Sequence, residues 1–219
     1  MSNDNQLRRD VEAELEWDTR IDARRIGVAV KDGVVTLSGN VGSYFERQAA
    51  LDAVQAVDGV LAVANDVVVV LPDDVTRSDT DIAESAAAAL QLNTMLPSAA
   101  IRLSVRDGWI TLVGEVNNWH QKHVAELALT SLRGVRGMSN LLTIRASHAA
   151  QDVQGLITSA LKRAARLDAE RIKVQHDEDG TVTLEGDVGS LHERNVAEIA
   201  AWQAPGVSRV VDKLRIRPQ

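Results

Sequence analysis

The chain of 219 residues contains no cysteine, and only 3% of its residues are aromatic. The lack of cysteine excludes a disulfide framework, thiolate metal ligands and a lipoprotein attachment cysteine. Hydrophobic residues nevertheless make up 45% of the chain. Because so few of them are aromatic, the hydrophobic cores must be built from Val, Leu, Ile and Ala, and we expect small, tightly packed layers.

Long hydrophobic runs are also missing. The first residues, MSNDNQLRRDVEAELEW, are polar and charged where a signal peptide needs an apolar centre. No later hydrophobic run approaches the length that spans a membrane. We therefore expect a cytoplasmic protein.

An excess of positive charge is lacking as well, since the formal net charge is −7. Counted by segment, residues 1–72 carry −5, residues 73–150 carry −1 and residues 151–219 carry −1. This balance argues against nucleic acid as a partner. It leaves room for a local basic patch in the last segment.

One ten-residue motif occurs three times. It is DGVVTLSGNV at 32–41, DGWITLVGEV at 107–116 and DGTVTLEGDV at 179–188. The second glycines of the three copies are 75 and 72 residues apart. That spacing is typical of tandem domains and too long for a solenoid.

The repeat predicts three small domains, which we call repeats 1, 2 and 3. We place repeat 1 at 1–71, repeat 2 at 82–146 and repeat 3 at 152–219, with linkers at 72–81 and 147–151. Domains this short bury little surface, so we expect contacts between repeats.

Each copy has the pattern helix, strand, strand, helix, strand. Leu7, Val11 and Leu15 have helical spacing, and the alternation that begins at Ile26 indicates a strand with one buried face. The Asp-Gly pair after that strand predicts a two-residue hairpin. The third copy has one extra residue here, so we expect its turn to be longer or bulged.

Several recurring positions have structural interpretations. By strand parity the second glycines face the core, where we expect a helix to cross close to the sheet. A capping box predicts the start of the second helix, and a later glycine predicts its C-terminal cap. A recurring Asn or Asp is interpreted as a buried polar residue that fixes a turn or bulge. In chain order these positions are Gly39, Gly114 and Gly186; Ser43, Asn118 and Ser190; Gly59, Gly134 and Gly206; and Asn65, Asn140 and Asp212.

The hairpin motif, the capped alanine-rich helix and the Gly-Val element before the last strand resemble the BON domain, the bacterial osmotic-shock and nodulation module. The resemblance covers nearly the whole chain. It implies an α+β fold in which each α-β-β-α-β domain has two helices on one face of a three-stranded mixed sheet. It also implies a non-enzymatic protein associated with phospholipid binding or protein contacts, and the family is more often periplasmic than cytoplasmic.

Since helices cover one sheet face, the open face is the candidate for binding. In repeats 1 and 2 this face is partly apolar, and we hypothesise that it packs against the other repeat or against a second molecule in a homo-oligomer. The residues concerned are Val34, Val68, Val70, Trp109, Val113 and Leu141. Tyr44, Trp119 and Leu191, at the start of the second helices, are interpreted as contacts across domain boundaries, with insertion into a membrane interface as the alternative.

Repeat 3 carries the basic residues that suit an anionic surface such as phospholipid headgroups. These are Lys162, Arg163, Arg166, Lys173, Lys213, Arg215 and Arg217. The alternative is that these charges are solvated or paired with neighbouring carboxylates.

We find no catalytic constellation, cofactor motif or metal-ligand set, so we expect no enzyme. The leading hypothesis is a binding or scaffolding protein of stress or envelope physiology that contacts phospholipid surfaces or other proteins. The alternative is a cytoplasmic sensor that responds to a monovalent cation such as potassium.

Overall fold

A computed structural model describes residues 2–145, 152–163 and 171–217. Within these residues each repeat forms its own sheet, covered on one face by two helices. The helices are α1 (Ser2–Trp17), α2 (Tyr44–Ala56), α3 (Asp79–Leu92), α4 (Trp119–Thr130), α5 (Val153–Arg163) and α6 (Leu191–Trp202). Helix α3 begins inside the segment that we predicted as a linker.

The strands of repeat 1 are β1 (Ile26–Lys31), β2 (Val34–Val41), β3 (Ala62–Asn65) and β4 (Val68–Val69). Those of repeat 2 are β5 (Ile101–Arg106), β6 (Trp109–Val116) and β7 (Gly137–Ile144). Those of repeat 3 are β8 (Ile172–His176), β9 (Thr181–Val188) and β10 (Arg209–Ile216).

All three sheets have the same topology. The second strand is central, antiparallel to the first strand and parallel to the third. In repeat 1 the third strand is divided into β3 and β4, which both pair with β2. The predicted α+β class with three repeated mixed sheets is therefore confirmed.

The hairpin turns follow the sequence prediction. Asp32 and Gly33 have φ of 51° and 75°, and Asp107 and Gly108 have φ of 51° and 77°, as a type I′ turn requires. In repeat 3 the N–H of Asp177 donates to the carbonyl oxygen of Thr181 at 2.9 Å, which encloses a longer loop.

Two aspartates that we had not singled out hold the hairpins of repeats 1 and 2. Asp4, in the first turn of α1, accepts hydrogen bonds from the backbone N–H groups of Asp32 and Gly33 at 3.1 and 3.2 Å. Asp79, in the first turn of α3, does the same for the next hairpin at 2.8 and 2.9 Å. Each first helix is thereby anchored to the tip of its hairpin.

The structure corrects the reason for the recurring glycine in the second strand. Gly39 has φ of +110°, and a Cβ built there would lie 2.1 Å from the carbonyl oxygen of Arg25. Gly114 and Gly186 face the carbonyls of Ala100 and Arg171 in the same way. The chain that crosses this glycine is thus the segment just before the first strand, and not the second helix.

The later glycine also differs in detail from its prediction. Helix α2 ends at Ala56, whereas Gly59 lies three residues further on, with φ of +92°. The N–H of Val60 donates to the carbonyl oxygen of Val57 at 3.4 Å. Gly59 therefore occupies the third position of a β-turn of type II rather than a helix C-cap. Gly134 and Gly206 repeat this geometry, with φ of +89° and +86°.

The second helices begin where the capping boxes predict. The side chains of Ser43, Asn118 and Ser190 each accept the N–H three residues later. The reciprocal bond is shifted by one residue: Glu46 accepts the N–H of Gly42 at 2.9 Å and not that of the cap residue. Three buried clusters of mostly aliphatic residues form the cores.

Candidate functional site

The repeats contact one another through their second helices. Tyr44 at the start of α2 is only 7% exposed and packs into the core of repeat 2. Leu191 at the start of α6 packs against the core of repeat 1, and its N–H donates to the carbonyl oxygen of Val60 at 3.4 Å. Trp119 at the start of α4 is half-buried and lines two clefts with Trp202 of repeat 3. Repeat 1 therefore contacts both repeats 2 and 3, which face each other across these clefts, and we call this arrangement the ring.

This ring agrees with the interpretation of the three first-turn residues as boundary contacts. A further bond supports it, since Asn195 Nδ2 of α6 donates to Gln55 Oε1 of α2 at 3.0 Å. The sequence did not reveal the order in which the repeats meet, because the three contact residues are chemically different.

The open sheet faces point away from the helices. The six apolar residues predicted there have exposed fractions of 40% at Val34, 59% at Val68, 56% at Val70, 42% at Trp109, 41% at Val113 and 60% at Leu141. Val68 and Trp109 line one cleft between repeats 1 and 2, but all six side chains keep exposed surface. Contact with a second molecule stays a prediction.

The open face of repeat 3 mixes both charges. Lys213 Nζ lies 2.8 Å from Glu185 Oε1, and Arg217 Nε lies 3.2 Å from Asp187 Oδ1. The Lys213 ammonium is the main reason that the pKa of Glu185 is lowered. Within the described residues, Lys173 and Arg215 form no ion pair. Half of the predicted cations on this face are thus paired, and half are available.

Lys162 and Arg163 are exposed in the last turn of α5. This helix packs on β8 and α6, so it belongs to the helix layer of repeat 3 and not to the open face. The predicted basic residues therefore lie on two sides of the repeat. Arg166 lies outside the described residues.

The recurring Asn or Asp acts as predicted. Asn65, Asn140 and Asp212 each accept the backbone N–H two residues later, at 3.2, 3.4 and 2.8 Å. Each of the three residues also forms a bond to the second helix of its own repeat. Arg47 Nη2 donates to the carbonyl oxygen of Asn65 at 3.5 Å, Asn140 Nδ2 donates to that of Lys122 at 2.9 Å, and Arg194 pairs with Asp212 at 2.5 Å. The position ties the third strand to the helix above it.

Two titratable groups lie close to the contacts between the repeats. His123 stacks on Trp119, with ring centroids 4.8 Å apart. Desolvation by the surrounding chain raises the pKa of the Asp52 carboxyl on α2. Among the described residues no three His, Asp or Glu side chains are grouped closely enough to hold a metal ion.

One cleft lies between repeats 1 and 2 and has a volume of about 690 Å³. We call it the arginine cleft, because Arg47, Arg106 and Arg136 line it. Its apolar wall includes Val68, Val69 and Trp109. Val68 and Trp109 are predicted from the sequence as exposed apolar residues, but the three arginines are not, because they come from distant parts of the chain.

Fold and surfaces together define a tandem array of three small α+β domains joined through their second helices. In the described part of the chain, no helix has both the length and the apolar character needed to cross a bilayer. The family model for the BON domain matches residues 3–70, 78–146 and 149–218. The chain belongs to the BON domain family.

Among characterised relatives, the chain is similar to osmotically-inducible protein Y of Escherichia coli (strain K12). The two are 27% identical over 142 residues, which is 63% of this chain and 71% of the relative.

Among solved structures, it is similar to CdsD, a structural protein of the type III secretion system of Chlamydia trachomatis. In one CdsD structure the identity is 16% over 98% of this chain and 93% of that chain, with a TM-score of 0.27. In a second structure, of the CdsD C-terminal domain, the identity is 14% over 96% of this chain and 96% of that chain, with a TM-score of 0.26.

Proposed function

We propose that this chain is a non-enzymatic binding protein of osmotic-stress physiology that attaches peripherally to anionic phospholipid surfaces through the open face of repeat 3. The stress role is supported by the similarity to an osmotically inducible relative. Membership of the BON family supports a binding module rather than an enzyme.

The observation that carries the lipid contact is the surplus of cations on this face. Lys173, Lys213, Arg215 and Arg217 outnumber Glu185 and Asp187, and both carboxylates are paired. Lysine or arginine near an anionic bilayer contributes about 1 kcal/mol to binding. A few such contacts give weak, salt-sensitive attachment of a chain whose net charge is −7.

Liposome flotation tests this proposal. The full chain should float with vesicles that contain phosphatidylglycerol and not with neutral phosphatidylcholine vesicles. Changing Lys213, Arg215 and Arg217 together to Ser should weaken the binding about 100-fold. Glu185→Gln should strengthen it, because it releases Lys213 from its partner. Equal flotation of the wild type and the triple variant would contradict the proposal.

A second pair of variants asks which side of repeat 3 faces the lipid. Lys162→Ser with Arg163→Ser removes two cations from the helix layer and should have little effect. Arg8→Ser with Arg9→Ser removes two exposed cations from α1 and serves as the matched control. If the α5 pair weakens flotation more than the triple serine variant does, the contact belongs to the helix layer.

A further inference from the structure

The arginine cleft combines positive charge with apolar surface. Arg47 comes from α2, Arg106 from the end of β5 and Arg136 from the segment just before β7. Two carboxylates, Asp66 and Asp107, also line the cleft. The lining therefore has a net positive charge on a protein whose net charge is −7.

The charges in the cleft are incompletely satisfied. Arg47 Nε is buried and has no hydrogen-bond partner in the structure. Neither the Arg106 nor the Arg136 side chain takes part in an ion pair or side-chain hydrogen bond with another described residue. A buried donor without a partner is costly, and a guanidinium binds carboxylates well. The arrangement is suited to an incoming anion.

The apolar wall is held in place. The ring of Trp109 lies on the backbone of Gly137, where a Cβ would come within 2.2 Å of a ring carbon. Trp109 Nε1 already donates to Ser139 Oγ at 3.0 Å, so the remaining surface of the indole is apolar. Val68 on the opposite repeat is 59% exposed. An anion without an apolar part would leave this wall in contact with water.

We propose that the arginine cleft binds a single long-chain carboxylate, with its head group at the arginines and its hydrocarbon chain against Trp109 and Val68. The cleft volume of about 690 Å³ lies within the range of small-molecule sites. This site is separate from the open face of repeat 3, and it takes one monomeric molecule rather than a bilayer surface.

Isothermal titration calorimetry with sodium dodecanoate below its micellar concentration tests the site. The wild-type chain should bind dodecanoate, while dodecanol, which lacks the charge, and butyrate, which lacks the chain, should each bind at least about tenfold more weakly. The double variant Arg106→Gln with Arg136→Gln should weaken dodecanoate binding about tenfold or more. Trp109→Ala should weaken it while leaving the preference for the charged ligand.

Arg102→Gln is the matched control, because Arg102 lies on the same strand as Arg106 but does not line the cleft. It should bind dodecanoate like the wild type, and circular dichroism of each variant with and without ligand checks the fold. A wild type that does not bind dodecanoate, or a double variant that binds it equally well, would overturn the proposal.

Vesicle flotation separates this site from the membrane contact of repeat 3. The Arg106 and Arg136 double variant should still float with phosphatidylglycerol vesicles, and the triple serine variant of repeat 3 should still bind dodecanoate. If the double variant also lost vesicle binding, the cleft would be part of a membrane contact and the assignment to a monomeric ligand would fail.

Discussion

The two faces of each sheet differ in how strictly the three repeats agree. On the helix-covered face, the second strands place aliphatic residues at equivalent positions, such as Leu37, Leu112 and Leu184, and all three are 0% exposed. On the open face, one threonine recurs at an equivalent position, but the position two residues later holds Ser38, Val113 and Glu185 in the three repeats. The covered face builds the fold, and the open face distinguishes one repeat from another.

The three copies thus share one fold but present different surfaces. The copies share hairpins, helix caps and strand-to-helix bonds, which position the open faces without defining their chemistry. Repeat 3 presents charges, whereas repeats 1 and 2 present apolar side chains and together form the arginine cleft. The two binding sites that we propose therefore lie on different copies.

Two neighbouring leucines in β7 test this difference between the two faces most directly. Leu142 is 2% exposed on the covered face, and Leu141 is 60% exposed on the open face. Leu142→Ala should lower the free energy of unfolding by about 3 kcal/mol, because it leaves a cavity in the core of repeat 2. Leu141→Ala should change it by less than about 0.5 kcal/mol. Urea unfolding measures both, and similar costs would show that the open face is covered in solution.

Substitution of the recurring glycine in the second strand should destabilise the fold nearly as much. Gly39→Ala places a Cβ against the carbonyl oxygen of Arg25 at a φ of +110°, so we expect a loss on the order of 3 kcal/mol. Gly42→Ala is the control, since its Cβ would meet only Glu46 Oε2 at 3.8 Å. Thermal unfolding followed by circular dichroism should separate the two variants clearly. If both behave like the wild type, the backbone at Gly39 adjusts without cost.

The next largest loss of stability is expected at Asn140, which bonds to the second helix of repeat 2. Asn140→Ala removes the bond from the N–H of Leu142, as well as bonds to the Lys122 carbonyl and to Glu126. A cost of about 2 kcal/mol is expected for these half-buried groups. Asn117→Ala removes an exposed amide from the same repeat and should cost less than about 0.5 kcal/mol. Equal urea midpoints for the two variants would refute the role assigned to Asn140.

The helix-covered face was largely predictable from the sequence, because agreement among three copies at Leu37, Ser43 and Asn65 reports what the fold requires. Strand parity predicts that Gly39 faces the core, whereas the structure leaves it exposed, and alternation does not give its φ either. That angle depends on a carbonyl group 14 positions earlier, at Arg25, which alternation does not encode. The break between β3 and β4 likewise has no counterpart in the other repeats.

The candidate binding surfaces were predictable only in part. Alternation identified Val68 and Trp109 as exposed apolar residues, but the cleft they line needs the two repeats in their ring arrangement. That arrangement depends on Tyr44, Trp119 and Leu191. These residues occupy equivalent positions in the three repeats, but their side chains are chemically different. The pairing of Lys213 with Glu185 follows from the register of β9 and β10, and the sequence alone does not give that register.

The smallest effect is expected at Asp52, which lies on neither face but on the outer side of α2, where the helices of the ring approach one another. Desolvation raises the pKa of its carboxyl, so the folded state holds this proton more tightly than the unfolded chain does. Its contribution to stability therefore falls as the pH rises through the ordinary aspartate pKa towards the raised value, and then stays constant.

Asp52→Asn removes this penalty. Below the ordinary aspartate pKa the variant and the wild type should unfold at the same temperature, since both side chains are then neutral. At pH 7 the variant should be more stable, by no more than about 0.5 kcal/mol, because Asp52 remains accessible to water. Asp10→Asn, which removes one carboxylate from an exposed turn of α1, is the matched control for the loss of a negative charge. A variant less stable than the wild type at pH 7 would mean that the attraction of Asp52 to Arg20, within repeat 1, outweighs the desolvation of its carboxyl.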